Sequence, residues 1–262
     1  GENDKVIIPS PSFVMFEQVA QIMANNIVKS YYDENLAYPL EEVLDEIDEQ
    51  TKLVFICNPN NPTGTMLGKE GVEKVLAKAL KFNAVVFIDE AYFEYSRESA
   101  VEFLEEYPNL IVSRTFSKGF GLPSLRIAYL IASKEHIDEM LIVKGPYDVS
   151  MPANSAASVA LDNLDYVENY SDEVMNKSKP MIEIFFRENN IKFFEGSRSN
   201  FLLFKPENSE QVFKIITETG IRTRPRKGKN INGIIRLTIG TVEQMKRFIE
   251  IYKNKILKNT LI

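Results

Sequence analysis

The chain of 262 residues is poor in the side chains on which several common chemistries depend. It has a single cysteine, Cys57, so neither an internal disulfide nor a cysteine-based zinc site can form within it. A small apolar thiol, buried in a reducing compartment, is the expected role. It has a single histidine, His136, on which any serine-type triad or histidine metal site would have to rest, and no metal site is expected. His136 lies in Ser133-Lys-Glu-His, which reads as a helix start at the surface. No apolar run approaches the roughly 18 residues that span a bilayer, and the first residues lack a basic start followed by an apolar stretch. Basic residues are outnumbered, 31 Lys and Arg against 37 Asp and Glu, for a formal net charge of −6. That balance speaks against a general nucleic-acid or membrane-surface binder and leaves room for a local cationic pocket. With 44% hydrophobic and 26% charged residues, the composition is that of a folded globular chain, which excludes disorder and collagen. The length suits one or two domains, and a cytoplasmic enzyme or binding protein is expected.

The chain opens abruptly. Gly1 to Lys5 reads as a short polar turn, and Val6-Ile7-Ile8 already reads as a buried strand, so a preceding N-terminal portion is expected in the natural parent. Apolar runs then alternate with segments of helical period. The runs are Val6–Ile8, Ile27–Tyr31, Leu53–Cys57, Ala84–Ile88 and Leu110–Val112. Between them lie Phe16–Ala24, Leu40–Ile47 and Gly71–Leu80, the last with Val72, Val75, Leu76, Ala79 and Leu80 three and four apart. This alternation predicts an α/β domain on a mostly parallel sheet. The run Ile127–Ile131 follows Leu110–Val112 through a Gly/Pro-rich loop without a helix. A parallel crossover normally needs one, so this strand is predicted antiparallel. After Met151 the pattern changes: helices over Asn154–Leu161, Tyr166–Arg187, Gln211–Glu218 and Val242 to about Leu257, with strands at Ile191–Phe194, Phe201–Phe204 and Ile234–Ile239. The expected division is a large α/β unit over 1–150 and connecting helices with a smaller α+β unit over 151–262.

Ligands of open α/β sheets bind beyond the carboxyl ends of the strands. At that end Leu53–Cys57 runs into Asn58-Pro-Asn-Asn-Pro-Thr-Gly64, Ala84–Ile88 into Asp89-Glu-Ala-Tyr92, and Leu110–Val112 into Arg114-Thr-Phe-Ser-Lys118-Gly-Phe-Gly121. A turn, a carboxylate and a lysine amid hydroxyls therefore meet in one crevice. Each alone has an ordinary explanation as turn, cap or surface group; in order, at successive strand ends, they do not. Two look-alikes are set aside. Val86-Phe-Ile-Asp-Glu90 imitates the acidic pair that holds Mg²⁺ in nucleotide hydrolases. Gly64-Thr-Met-Leu-Gly-Lys69 imitates a phosphate loop, but it is one residue short between its glycines and no Ser or Thr follows the lysine.

With these pieces in place, the chain resembles fold-type I pyridoxal-5′-phosphate (PLP) aminotransferases of class I/II, particularly the histidinol-phosphate aminotransferase group. Pro11-Ser-Phe13, Asn58–Gly64, Phe87-Ile-Asp-Glu-Ala-Tyr92, Arg114–Lys118 and Arg236-Leu-Thr-Ile-Gly-Thr241 match in the family's order and cover nearly the whole chain. The resemblance implies a mostly parallel central sheet with helices on both faces and a smaller C-terminal α+β domain. It implies PLP as cofactor, with Lys118 forming the Schiff base and then moving the proton at the substrate α-carbon. Asp89 would keep the pyridine nitrogen protonated, and Asn61 and Tyr92 would bond the ring's phenolic oxygen. Thr115, Ser117 and Arg126 would hold the phosphate, and Phe13 would stack on the ring, where plain core packing is the other explanation. On the substrate side it implies Arg236 as clamp for an α-carboxylate, against an internal ion pair, and Arg224 as a phosphate ligand, against a solvated basic loop with Arg222 and Arg226. Tyr147 matches a substrate-side tyrosine, and Asn200 a position near the substrate, against a turn residue. The implied partners are an amino donor, here an amino acid or amino phosphate, a 2-oxo acid acceptor and a second copy in a homodimer, in amino-acid biosynthesis. A decarboxylase of the threonine-phosphate type, and a non-catalytic truncated remnant, remain the alternatives. Two departures stand out. Absent are the family's N-terminal segment, with its small-residue phosphate loop and a tyrosine that reaches the neighbouring site, and the small pair before the phosphate arginine, replaced by Pro123-Ser124.

Overall fold

A computed structural model describes residues 4–23 and 26–258. Strands β1 (Lys5–Ser10), β2 (Asn26–Tyr31), β3 (Thr51–Cys57), β4 (Val85–Asp89), β5 (Leu110–Thr115) and β6 (Ala128–Ala132) form one sheet in the order β2-β1-β3-β4-β5-β6. All neighbours are parallel except β5 and β6, which pair antiparallel from Ile111↔Ala132 to Thr115↔Ala128. The loop between them holds only one short turn at Pro123–Leu125, so the reversal expected from the missing crossover helix is found.

Both faces of this sheet are covered, as parallel sheets require. Val54, Ile56, Val86, Ile88, Leu110 and Val112 are fully buried and share one core with α2 (Leu40–Glu46) and α3 (Lys69–Lys81). Helix α3 buries Val72, Val75, Leu76 and Ala79, as its spacing predicts, with Glu70 in its first turn and Lys78 and Lys81 in its last, each matched to the helix dipole. On the other face α1 (Val14–Met23) lays Phe16 flat on Phe55, ring centroids 4.7 Å apart. Two predicted pieces, Gly1–Asn3 of the opening turn and the end of the first helix at Ala24, fall outside the described residues, as does Asn25.

A short turn of helix, α4 (Phe93–Ser96), follows β4, and α5 (Lys134–Val143) follows β6, its Ser133 hydroxyl capping the His136 amide. Helix α6 (Met151–Leu161) starts earlier than predicted, because Ser150 caps it and Pro152 suits its first turn. The long helix expected over Tyr166–Arg187 is α7 (Leu164–Glu173) and α8 (Lys179–Glu188), joined without a break by a wider π turn at Val174–Ser178. Pro180 lies just beyond that turn and has no N–H for a helical bond, which accounts for the widened ladder ahead of it.

The second sheet is antiparallel, in the order β7-β8-β10-β9: β7 (Lys192–Phe193), β8 (Phe201–Lys205), β9 (Arg224–Arg226) and β10 (Ile234–Thr238). It packs under α8, α9 (Ser209–Glu218) and α10 (Val242–Tyr252), with Phe186, Phe204, Phe248 and Tyr252 in mutual ring contact. Burying each such ring stabilises by roughly 1.5–3 kcal/mol. Strand β9 is a correction: its charged residues and Pro225 read as a loop, yet they form an edge strand, where proline and exposed charge are tolerated.

The two sheets meet at several places, two of which set the joint. Tyr32 and Leu36 bury themselves among Leu203, Ile231 and Ile234. The turn after β3 also meets the loop before β8: Gly64 (φ +77°) accepts a bond from the Arg198 amide at 2.8 Å, and a methyl on Gly64 would lie 2.2 Å from Ser197 Oγ.

Candidate active site

Strand register brings the predicted pieces together. Cys57 of β3 lies opposite Asp89 of β4, which lies opposite Ser113 of β5. The turn at 58–64, the Asp89 carboxylate and the Lys118 loop therefore issue from three adjacent strand ends. Asp89 is held from its own chain and its neighbour: Oδ1 accepts from the Ala91 amide at 3.0 Å and from the Ser113 hydroxyl at 3.3 Å. Burial pushes its pKa up to about 6, while those two bonds and the Lys118 charge pull it back. Tyr92 follows one turn later, buried edge-on against Phe201 at 5.2 Å, its pKa raised to about 12 by burial with Arg236 opposing.

Lys118 Nζ lies 5.8 Å above the Tyr92 ring. Partial burial lowers its pKa first, then the Arg236 charge; Asp89 opposes, and Arg126 and Arg224 lower it further. A single ammonium thus feels one carboxylate and three guanidinium groups. Arg236 sits on β10 with its guanidinium 4.9 Å over the Phe201 ring and donates from Nη1 to Asn61 Oδ1 at 2.8 Å. Arg224 lies opposite it in the β9–β10 register.

The remaining predicted residues divide. The loop after β1 is pinned to the 58–64 turn by Ser12 Oγ to Asn60 Oδ1 and Asn60 Nδ2 to the Pro11 carbonyl, both 2.9 Å. That leaves Phe13 beside the turn, edge-on to Phe16 and 38% exposed. The Thr115 hydroxyl accepts from the Ser117 amide at 3.1 Å and so braces the Lys118 loop. Arg126, with φ +53°, is exposed and donates to the Pro123 carbonyl at 2.9 Å. Asn200 is tied to the end of β10 by its backbone carbonyl, which accepts from the Ile239 amide at 2.7 Å. Tyr147 stands apart, 93% exposed beyond α5.

The sequence reading put Arg226 in a solvated basic loop. It donates to Asn61 Oδ1 at 3.4 Å, and its pKa falls to about 10 through burial and then through Arg236 and Arg224. The signal was its place two residues from Arg224 in a β-strand period, hidden by Pro225. Glu90, by contrast, is spoken for: it is buried with Arg114 at 3.0 Å, the Ser99 hydroxyl and the Ala100 amide. It therefore forms no acidic pair with Asp89. Among the described residues no group of three or more His, Cys, Asp or Glu is placed to hold a metal.

Arg226 and Arg236 each keep a buried Nε without a hydrogen-bond partner among the described residues. Buried donors are rarely left so, and a cluster of such cations fits an anionic ligand. The opposed carboxylate and softened lysine fit a cofactor with a basic ring nitrogen and a carbonyl.

The family model for "Aminotransferase class I and II" matches residues 1–251. The chain belongs to that family. This aminotransferase is 32% identical over 247 residues to the histidinol-phosphate aminotransferase of Ruminiclostridium cellulolyticum, covering 93% of this chain and 68% of that one. The solved histidinol-phosphate aminotransferase of Clostridium acetobutylicum superposes with a TM-score of 0.86 at 27% identity, covering 98% of this chain and 78% of that one. The Sinorhizobium meliloti histidinol-phosphate aminotransferase, solved in complex with pyridoxal-5′-phosphate, shares the fold at TM-score 0.83 and 23% identity, covering 95% of this chain and 69% of that one. The aminotransferase uses PLP, and its α/β fold is that of the PLP-dependent transaminases. No helix among the described residues is long and apolar enough to cross a membrane.

Proposed function

We propose that the aminotransferase moves an amino group between a phosphorylated amino compound of the histidinol-phosphate type and a 2-oxo acid, with Lys118 as the reacting amine. The observation that supports this is the convergence of the Asp89 strand end, the neighbouring strand that leads to Lys118, and the turn whose Asn61 accepts from Arg236. The relatives named for histidinol phosphate support the choice of donor.

PLP, when bound, supplies an electron sink for the pair left at the substrate α-carbon. The chain does the rest. Lys118 would attach the cofactor until the donor's own amine displaces it; the freed Nζ, shifted toward the neutral form by burial and by Arg236, would then take the α-proton and return it. Asp89 holds the ring nitrogen; both of its described hydrogen bonds fall on Oδ1, so Oδ2 is available to a cationic N–H, which in turn favours the ionised carboxylate. Asn61 faces two ways. With Oδ1 taken by Arg236 and Arg226, its Nδ2 is the group left to donate to the phenolic oxygen, where Tyr92 joins it. Phe13 covers the ring, and Thr115, Ser117 and Arg126 serve the cofactor phosphate. Arg236 and Arg224 receive the substrate's anionic groups, Asn200 lines their rim, and Tyr147 approaches only from a partner or a rearranged loop.

In the same reading, residues 1–150 form the cofactor-binding unit and 151–262 the substrate-side unit, each with its own sheet. The enzyme works in the cytoplasm, in amino-acid biosynthesis, as a homodimer. Exposed apolar side chains on α1 (Ile22, Met23), at the end of α5 (Ile142, Val143) and at the start of α6 (Met151) support a self-contact.

The test is to add PLP, reduce with borohydride and map the adduct, then to follow 2-oxoglutarate-dependent loss of histidinol phosphate. An adduct on Lys118 and formation of the keto product are expected. A label spread over surface lysines, or release of CO₂ in place of a keto product, would refute the assignment.

A further inference from the structure

If Lys118 is the reacting amine, the turn that bears it has to be held. The next residue, Gly119, is buried with its backbone against Glu94 of α4: a methyl on Gly119 would lie 2.6 Å from Glu94 Cβ and Cγ and 2.8 Å from Oε2. Only glycine fits there, so the turn and the Glu94 stem are in direct contact. The carboxyl itself has few partners. Its Oε2 is buried with no hydrogen-bond partner among the described residues. The adjacent cation, Arg114, is committed to Glu90 at 3.0 Å, to Ser99 at 2.7 Å and to the Phe93 ring at 3.4 Å. Burial raises the Glu94 pKa to about 7, with Arg114 and the Gly119 amide pulling it down and Glu90 pushing it up. On its far side Glu94 lines a cleft of about 370 Å³ shared with Lys179, Asp172 and Glu183. A half-buried carboxyl without a cation of its own adds little to stability, and its contact with Gly119 is what distinguishes it.

We propose that Glu94 is a positioning residue: its side chain, pressed on the Gly119 backbone, holds the Ser117–Gly119 turn so that Lys118 Nζ stays over Tyr92 beside Arg236. The inference rests on the function proposed above. Its logic is steric. Loss of the contact lets the amine drift outward, away from the surroundings that soften it, and displacements on the order of 1 Å at a reacting group slow catalysis by up to about a hundredfold.

The experiment compares Glu94→Ala, which removes the contact, with Glu94→Gln, which keeps the shape. In cofactor-free protein, trace labelling with acetic anhydride and mass spectrometry reads the reactivity of Lys118 at pH 7.5 against the other lysines. E94A is expected to lower it about threefold, as the amine moves back toward an ordinary lysine, and E94Q to stay near the parent. In the loaded enzyme E94A is expected to lower kcat about tenfold with KM for the donor within about twofold. Parent-like labelling and kcat in E94A overturn the proposal. So does E94Q falling as far as E94A, since charge and not contact would then be responsible. A borohydride adduct away from Lys118 in the parent protein refutes the function itself. An adduct on Lys118 with an unaffected E94A refutes only the role of Glu94.

Discussion

At the end of the six-stranded sheet the site's polar groups are engaged with their own surroundings: Asp89 with Ala91 and Ser113, Thr115 with Ser117, Asn60 with Ser12 and Pro11. On the four-stranded sheet Arg226 and Arg236 converge on a single amide oxygen and keep a donor each without a partner. The first arrangement is braced by its own hydrogen bonds and holds its geometry, with Asp89 Oδ2 left over for a ligand. The second carries stacked positive charge that a bound anion relieves. In the proposed reading, one sheet sets the chemistry and the other supplies the binding energy.

Substitutions can break this division. Lys118→Ala removes the attachment and the proton carrier together and should cost about 10⁴-fold or more in kcat, read in a steady-state assay. Asp89→Asn should still take up PLP, as borohydride trapping would show, while kcat falls roughly a thousandfold, the scale for losing one preorganised electrostatic partner. A loss confined to PLP affinity would contradict the division. On the other sheet the damage should move to KM. Arg236→Ala should raise KM for the amino donor about thirtyfold, and Arg226→Ala about fivefold, with kcat changed less in both.

These contrasts follow what was legible in the chain. Asp89, Lys118 and Asn61 could be found because each follows an apolar run, and strand ends in a parallel sheet share one edge. Arg236 could be found because a charge amid Ile234, Ile235, Leu237 and Ile239 needs a reason. Arg226 could not: Pro225 and its charged neighbours imitate a loop, and only pairing with Ile234 shows the strand. The antiparallel β6 was legible from a missing helix. The π turn at Val174–Ser178 was not, since its cause, Pro180, reads equally well as a helix break. Tyr147, matched by position alone, projects into solvent, and no pattern in the chain around it announced that exposure.

The smallest effect is one of stability. Asp89 has a folded pKa of about 6, above its ordinary 3.8. The folded state therefore holds a proton that the unfolded state has already lost, and stability from this group is full below pH 3.8 and lost as pH rises through 6. In cofactor-free protein Asp89→Asn should be more stable than the parent at pH 8, by about 3 kcal/mol at most, and the gain should vanish near pH 4. Urea unfolding at the two pH values measures it, and a gain that is equal at both would remove burial of the charge as its cause.

The meeting of Gly64 with Ser197 has a consequence for how the two sheets are joined. There is no room for even a methyl between turn and loop, so any larger residue at position 64 would have to wedge the turn that carries Asn61 away from the loop that leads into β8.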